Sequence, residues 1–110
     1  MQVDLDVTTH RFQGTSELVY HNNSPDTLKE VFFHLYFNAF RPGSEMDVRS
    51  RTIDDPDSRI GSRIAEFTPA EMGELMVTEL KQDGRPAELE PMGTVLKVLL
   101  PKPLLPGKRT

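Results

Sequence analysis

The stretch Tyr20 to Arg51, YHNNSPDTLKEVFFHLYFNAFRPGSEMDVRSR, decides how the rest of the chain is to be read. At its centre, Val31, Phe33, Leu35 and Phe37 alternate with Phe32, His34 and Tyr36. A period of two is that of a β-strand, and aromatic side chains in both sets predict a central strand covered on both faces. Before it stands Asn22-Asn23-Ser24-Pro25-Asp26, where proline presets a turn dihedral and Asn and Asp side chains bond nearby backbone, so a tight reversal is predicted. From Asn38 to about Phe67 the alternation stops. Pro42, Gly43, Pro56 and Gly61 punctuate a long connection with Arg41, Arg49, Arg51, Arg59 and Arg63 set against Glu45, Asp47, Asp54, Asp55 and Asp57. Loops of that length in a compact domain tend to be functional or disordered.

Working outward, Val3, Leu5 and Val7 alternate with Asp4, Asp6 and Thr8, predicting a first strand with one buried face. A turn at Phe12-Gln13-Gly14 would lead into a partner strand over Thr15 to Asn22, making an antiparallel hairpin. Towards the C-terminus, Thr68-Pro69-Ala70-Glu71 has the form of a capping box, and Gly73 limits it to about one helical turn. Leu75 to Gln82 and Arg85 to Glu90 read as a hairpin about Asp83-Gly84, a strong two-residue turn signal. Thr94 to Leu100 reads as a further strand, and the prolines of Pro101 to Pro106 as an edge or an extended exit. These elements predict an all-β, mainly antiparallel domain over residues 1–110, a β-sandwich or saddle-like sheet with one long loop and a short helical turn.

Composition narrows the functions available. The 110 residues suffice for one core without metals or cross-links. With 17 acidic and 13 basic residues the formal charge is -4, which offers no basic face for nucleic acid. No cysteine is present, so there is no disulfide frame, thiolate nucleophile or thiolate metal site, and the compartment stays open. No run approaches the roughly 20 apolar residues that span a bilayer. The start in a strand pattern and the closing Pro106-Gly107 turn signal suggest a piece of a longer protein, with a signal or linker upstream and an exported or periplasmic parent among the expectations.

The search for chemistry returns little. His10, His21 and His34 lack the His-Glu-x-x-His spacing that lets two imidazoles one helical turn apart share a zinc ion. His34, among aromatic residues, reads as a buried structural histidine that anchors the arginine-bearing loop through a backbone carbonyl. Asp54, Asp55 and Asp57 read as a solvated acidic turn, because they have neither the ligand count nor the glycine of a calcium loop. There is no Gly-x-Ser-x-Gly elbow and no phosphate loop. Asn22-Asn23-Ser24 matches a glycosylation triplet, but turn chemistry explains it, and Phe32, Tyr36 and Phe40 read as core rather than as a stacking platform.

The run Asn22-Asn23-Ser24-Pro25-Asp26-Thr27-Leu28, followed by His34-Leu35-Tyr36-Phe37-Asn38-Ala39-Phe40, resembles the N-terminal β-domain of aminopeptidase N-type zinc metallopeptidases, the gluzincin family, of bacterial type. The resemblance is strongest from Val19 to Arg51 and weaker from Leu80 onward. It implies the start of a β-sheet saddle beside a thermolysin-like catalytic domain, whose substrate cavity it helps to wall. In that family catalysis belongs to a His-Glu-x-x-His helix, a downstream glutamate and a Gly-x-Met-x-Asn loop, and no position of this chain matches them. The resemblance therefore implies a noncatalytic scaffold with no catalytic, cofactor or metal residue of its own, zinc being held by the parent's catalytic domain.

Its expected partner is that catalytic domain, with peptide substrate met only indirectly. His34, Tyr36, Asn38, Arg41, Arg49 and Arg51 are the candidate structural or domain-contact residues. An incomplete sheet would also leave an edge open to self-association. The alternative is an immunoglobulin-like binding or adhesion module that recognises protein or glycan through the 38–67 loop.

Overall fold

The computed structural model describes residues 1–53 and 61–110, and the expectation for Asp54, Asp55 and Asp57 lies outside them. Among the described residues the strands are β1 (Gln2–Asp6), β2 (Arg11–Thr15), β3 (Leu28–His34), β4 (Lys81–Gln82), β5 (Arg85–Pro86), β6 (Glu88–Met92) and β7 (Val95–Leu104). They form three antiparallel sheets, β1-β2, β3-β7-β6 and β4-β5, so the chain is mostly β as expected.

The ten-residue β7 is the middle strand of the main sheet, and β3 lies at its edge, which corrects the expected central position of Val31–Phe37. Only one face of β3 is covered. Leu35, Leu96 and Val98 form the buried core, with Val31, Phe33, Leu75, Val77, Leu80, Ala87 and Leu89 packed against them. On the opposite face Phe32 is 56% exposed and His34 is exposed, and beyond the strand Tyr36 is 72% exposed, so these aromatics are not core. Leu75 and Val77 alternate with exposed Met76 and Thr78 without lying in a ladder: the period-two pattern marked which side packs, while strand pairing begins only at Lys81.

The predicted reversal at Asn22 is also corrected. Tyr20 and Thr110 exchange backbone bonds of 2.9 and 3.1 Å, Asn22 N–H donates to Lys108 C=O at 2.9 Å, and Leu28 then stands opposite Leu104. The chain therefore leaves and rejoins one antiparallel path in the same direction, and residues 23–27 are a detour. The expected side-chain chemistry holds it. The amide of buried Asn22 donates to Asp26 C=O at 2.7 Å and Leu104 C=O at 3.0 Å, while its Oδ1 accepts from Ser24 N–H at 2.9 Å.

The N-terminal hairpin turns earlier than Phe12-Gln13-Gly14. The Asp6 carboxylate accepts from Thr8 N–H, Thr9 N–H and the Thr9 hydroxyl, and His10 takes a φ of 55°, which fixes the reversal before β2. Gly14 lies within the ladder opposite Val3, where an added Cβ would meet Gln2 O at 2.8 Å. Cross-strand partners share a face, so Val3, Leu5 and Phe12 line one side of this hairpin. All three are exposed, as are Leu18, Val19 and Tyr20 beyond it, so the expected buried face is absent.

The Asn38–Phe67 connection is not one long loop. Among the described residues, a 3-10 helix at Tyr36–Phe40 leads into it, and it holds the α-helix α1, Glu45–Thr52, and a second 3-10 helix at Gly61–Glu66. Fully buried Ile64 lies on the second of these 3-10 helices, which packs beside α1. The short turn after Thr68 forms as expected, with Glu71 Oε2 accepting from Thr68 N–H and hydroxyl at 3.0 and 2.7 Å. Asp83 and Gly84, with φ of 48° and 81°, make the predicted turn between β4 and β5.

A folded monomer of 12.5 kDa exposes about 6,200 Å² and has a radius of gyration of about 13 Å. This chain exposes 8870 Å² and has a radius of 17.4 Å.

Candidate functional site

The six candidate contact residues fall on the segment that runs from the end of β3 through α1, and they divide by role. Asn38, buried, is the anchor: its amide donates to Gly93 C=O at 3.2 Å in the β6–β7 turn, and its Oδ1 accepts from Leu75 N–H at 2.8 Å. One side chain thus ties the first 3-10 helix to two other segments. The carbonyl bond expected of His34 is made by Asn38 instead. The His34 ring stacks on Tyr36 with centroids 5.1 Å apart and planes 16° from parallel, out on the exposed surface.

Arg41 pairs with Glu74 at 3.5 Å, both half exposed, so the contact contributes little by itself. Arg51 grips Asp47 through two bonds, Nε to Oδ1 at 2.9 Å and Nη2 to Oδ2 at 3.1 Å. Arg49 is exposed on the same helix. The structure does not gather the three arginines into one anion-binding cluster, because Arg41 and Arg51 each engage a separate carboxylate.

Asp47 was not among the candidates, yet it organises this segment. Ser44 caps α1 by accepting from Asp47 N–H at 3.1 Å, and its own hydroxyl donates to Ala39 C=O at 2.6 Å. Asp47 Oδ2 accepts from Gly43 N–H at 2.7 Å. That backbone bond, with help from Arg51 and against the cost of burial, holds the Asp47 carboxyl below its ordinary pKa. The sequence signal was available in Ser44-x-x-Asp47, a capping-box form with an acidic first turn and a basic last turn. No apolar stripe accompanies it, so hydrophobic periodicity could not reveal the helix.

Two further polar groups matter for the surface. Buried Gln82 bonds the backbone of Lys102 twice, Nε2 to C=O and N–H to Oε1, each at 3.0 Å, acting as a side-chain neighbour for β7 between Pro101 and Pro103. No sequence motif marks that role. Lys97 joins the exposed face of the main sheet by reaching Glu90 at 3.0 Å and Glu30 at 3.5 Å, and the bond to Glu90 leads in raising its pKa.

Among the described residues no group of three or more His, Asp or Glu side chains is placed to hold a metal ion, and no helix is long and apolar enough to cross a membrane. A shallow depression of about 240 Å³ beside Gln82, Lys102 and Arg109 is smaller than the usual small-molecule site. No family model, curated protein or solved structure matches the chain.

Proposed function

We propose that this chain is a noncatalytic β-domain that packs on a larger catalytic domain, that of an aminopeptidase N-type zinc peptidase, and helps to shape its substrate cavity. The observation that carries the reading is the accessible surface of 8870 Å², about 2,700 Å² above that of a compact monomer of this mass. A standard interface takes about 800 Å² from each partner, so the surplus is ample for stable docking. Apolar residues contribute to it, among them Val3, Leu5 and Phe12 on the hairpin and Phe37, whose ring meets Phe12 at 6.2 Å. The resemblance in Asn22–Leu28 and His34–Phe40 supplies the kind of partner.

In this reading a saddle-like or sandwich arrangement is completed by the partner domain, peptide is met only at the cavity wall, and zinc sits in the partner. Among the described strands β3 and β6 are the unpaired edges of the main sheet, and an open edge invites self-association. The test is the reading frame beyond Thr110 together with an assay of the purified chain. The expected frame carries a His-Glu-x-x-His helix with a downstream glutamate, and the chain alone releases no product from aminoacyl p-nitroanilides with added zinc. A frame lacking that helix, or turnover by the chain alone, sinks the reading, and selective capture on a glycan array would favour the binding-module alternative.

A further inference from the structure

The geometry points to the outer edge of β3 as a docking surface for a second copy of this chain, paired antiparallel about a two-fold axis at Phe32. This rests on the reading that the sheet edge self-associates, and it adds which strand pairs and in what register.

Leu35 N–H donates to Thr94 C=O at 2.7 Å, and Phe33 and Val31 stand opposite Leu96 and Val98. Backbone groups alternate along an antiparallel ladder, so Val31, Phe33 and Leu35 turn theirs toward β7. Glu30, Phe32 and His34 turn theirs outward, where β3 has no neighbour among the described strands. Natural edges are blunted by bulges, prolines or charges. On β3 the bulge lies between Leu28 and Glu30, and the charges are Lys29 and Glu30, so Val31 to His34 is left unguarded.

The two-fold can fall on an inward-facing or an outward-facing residue. Centred on Val31 or Phe33, it brings only two outward pairs of Glu30, Phe32 and His34 together, about four main-chain bonds, and three registers centred on outward residues remain. Centred on Glu30, two like charges stand directly opposite each other. Centred on His34, Phe32 would face the partner's Tyr36, where the strand has already given way to a 3-10 helix. Centred on Phe32, all three outward residues pair: Phe32 with the partner's Phe32, and Glu30 and His34 with the partner's His34 and Glu30. That register forms about six main-chain hydrogen bonds. It sets an acid opposite an imidazole on both flanks and an aromatic pair at the centre, all on the exposed face of the sheet. Lys97, already bonded to Glu30 and Glu90, and Tyr36, stacked on His34, are the other polar groups beside these positions.

Sedimentation equilibrium of the chain over roughly 5–200 µM at neutral pH tests the inference, with far-UV circular dichroism confirming that each variant is folded. The wild-type chain is expected to fit a reversible dimer. Phe32→Lys sets two ammonium groups on the axis and raises the dissociation constant at least about tenfold. His34→Glu faces the partner's Glu30 with a like charge and weakens the dimer, whereas His34→Lys faces it with an opposite charge and retains or tightens it. A chain that stays monomeric throughout overturns edge self-association and this register together. A dimer indifferent to Phe32→Lys, or one in which His34→Glu and His34→Lys behave alike, overturns the register alone. Neither result bears on docking to the catalytic domain, which the reading frame decides separately.

Discussion

At the scale of single residues, buried amides do the work first expected of a histidine. Asn22, Asn38 and Gln82 are each buried, and each bonds backbone groups where a regular ladder is interrupted: at the detour after Asn22, at the end of β3, and beside the prolines of β7. An amide suits this task because it carries both donor and acceptor and so satisfies an N–H and a C=O together. Asn38→Ala would strand Leu75 N–H and Gly93 C=O, at a cost of about 2 kcal/mol. The melting temperature is expected to fall by roughly 8 °C. Asn38→Asp keeps the acceptor for Leu75 and loses the donor to Gly93, so it is also expected to destabilise. His34→Ala, at a ring exposed in the single chain, should leave the stability of the monomer within about 0.5 kcal/mol of wild type. Calorimetry on the three variants checks the order, and a His34→Ala loss as large as that of Asn38→Ala would refute this division of roles.

At the scale of elements, the N-terminus of α1 is an electrostatic device. The Asp47 carboxyl is held below its ordinary pKa chiefly by Gly43 N–H, so its ionised form favours the folded state. A group whose folded pKa is depressed contributes fully above its unfolded value of about 3.9, and the contribution is lost as pH falls through the folded value. Asp47→Asn should therefore melt below wild type near pH 6, and the two curves should converge as pH is lowered towards 2. Parallel curves across that range would show that Asp47 acts through shape alone. Ser44→Ala removes the cap and should cost about 1 kcal/mol at any pH. Elements defined by local chemistry were legible in the sequence: the Asp83-Gly84 turn, the Thr68–Glu71 turn and the Asn22 side-chain turn. Placement was not. Alternation in Val31–Phe37 describes a strand whichever position it takes in a sheet, and only the long-range pairing with β7 makes β3 an edge and exposes Phe32. The anchor Asn38 was singled out in the sequence, but its partners Leu75 and Gly93 lie too far along the chain for any local pattern to name.

At the scale of the whole molecule, stability and the proposed docking fall to different surfaces. The core around Leu35, Leu96 and Val98 lies under one face of the main sheet, while the apolar side of the N-terminal hairpin is open. Apolar surface contributes to folding only when it leaves water, at about 25 cal/mol per Å². Leu96→Ala, at 2% exposure, should then cost about 3 kcal/mol in the chain alone. Leu5→Asp, at 67% exposure, should change its unfolding by no more than about 0.5 kcal/mol. If the hairpin face docks on the proposed catalytic domain in a longer protein, Leu5 would be buried there and the order would change, because an aspartate at that place loses its hydration without gaining a partner. Limited proteolysis is the direct readout: Leu5→Asp should leave the digestion of the 110-residue chain unchanged and should speed cleavage between the domains of the longer protein. Equal digestion of wild type and variant in both settings would mean that the hairpin face is not where the catalytic domain docks, and the surplus surface would have to be met elsewhere on the fold.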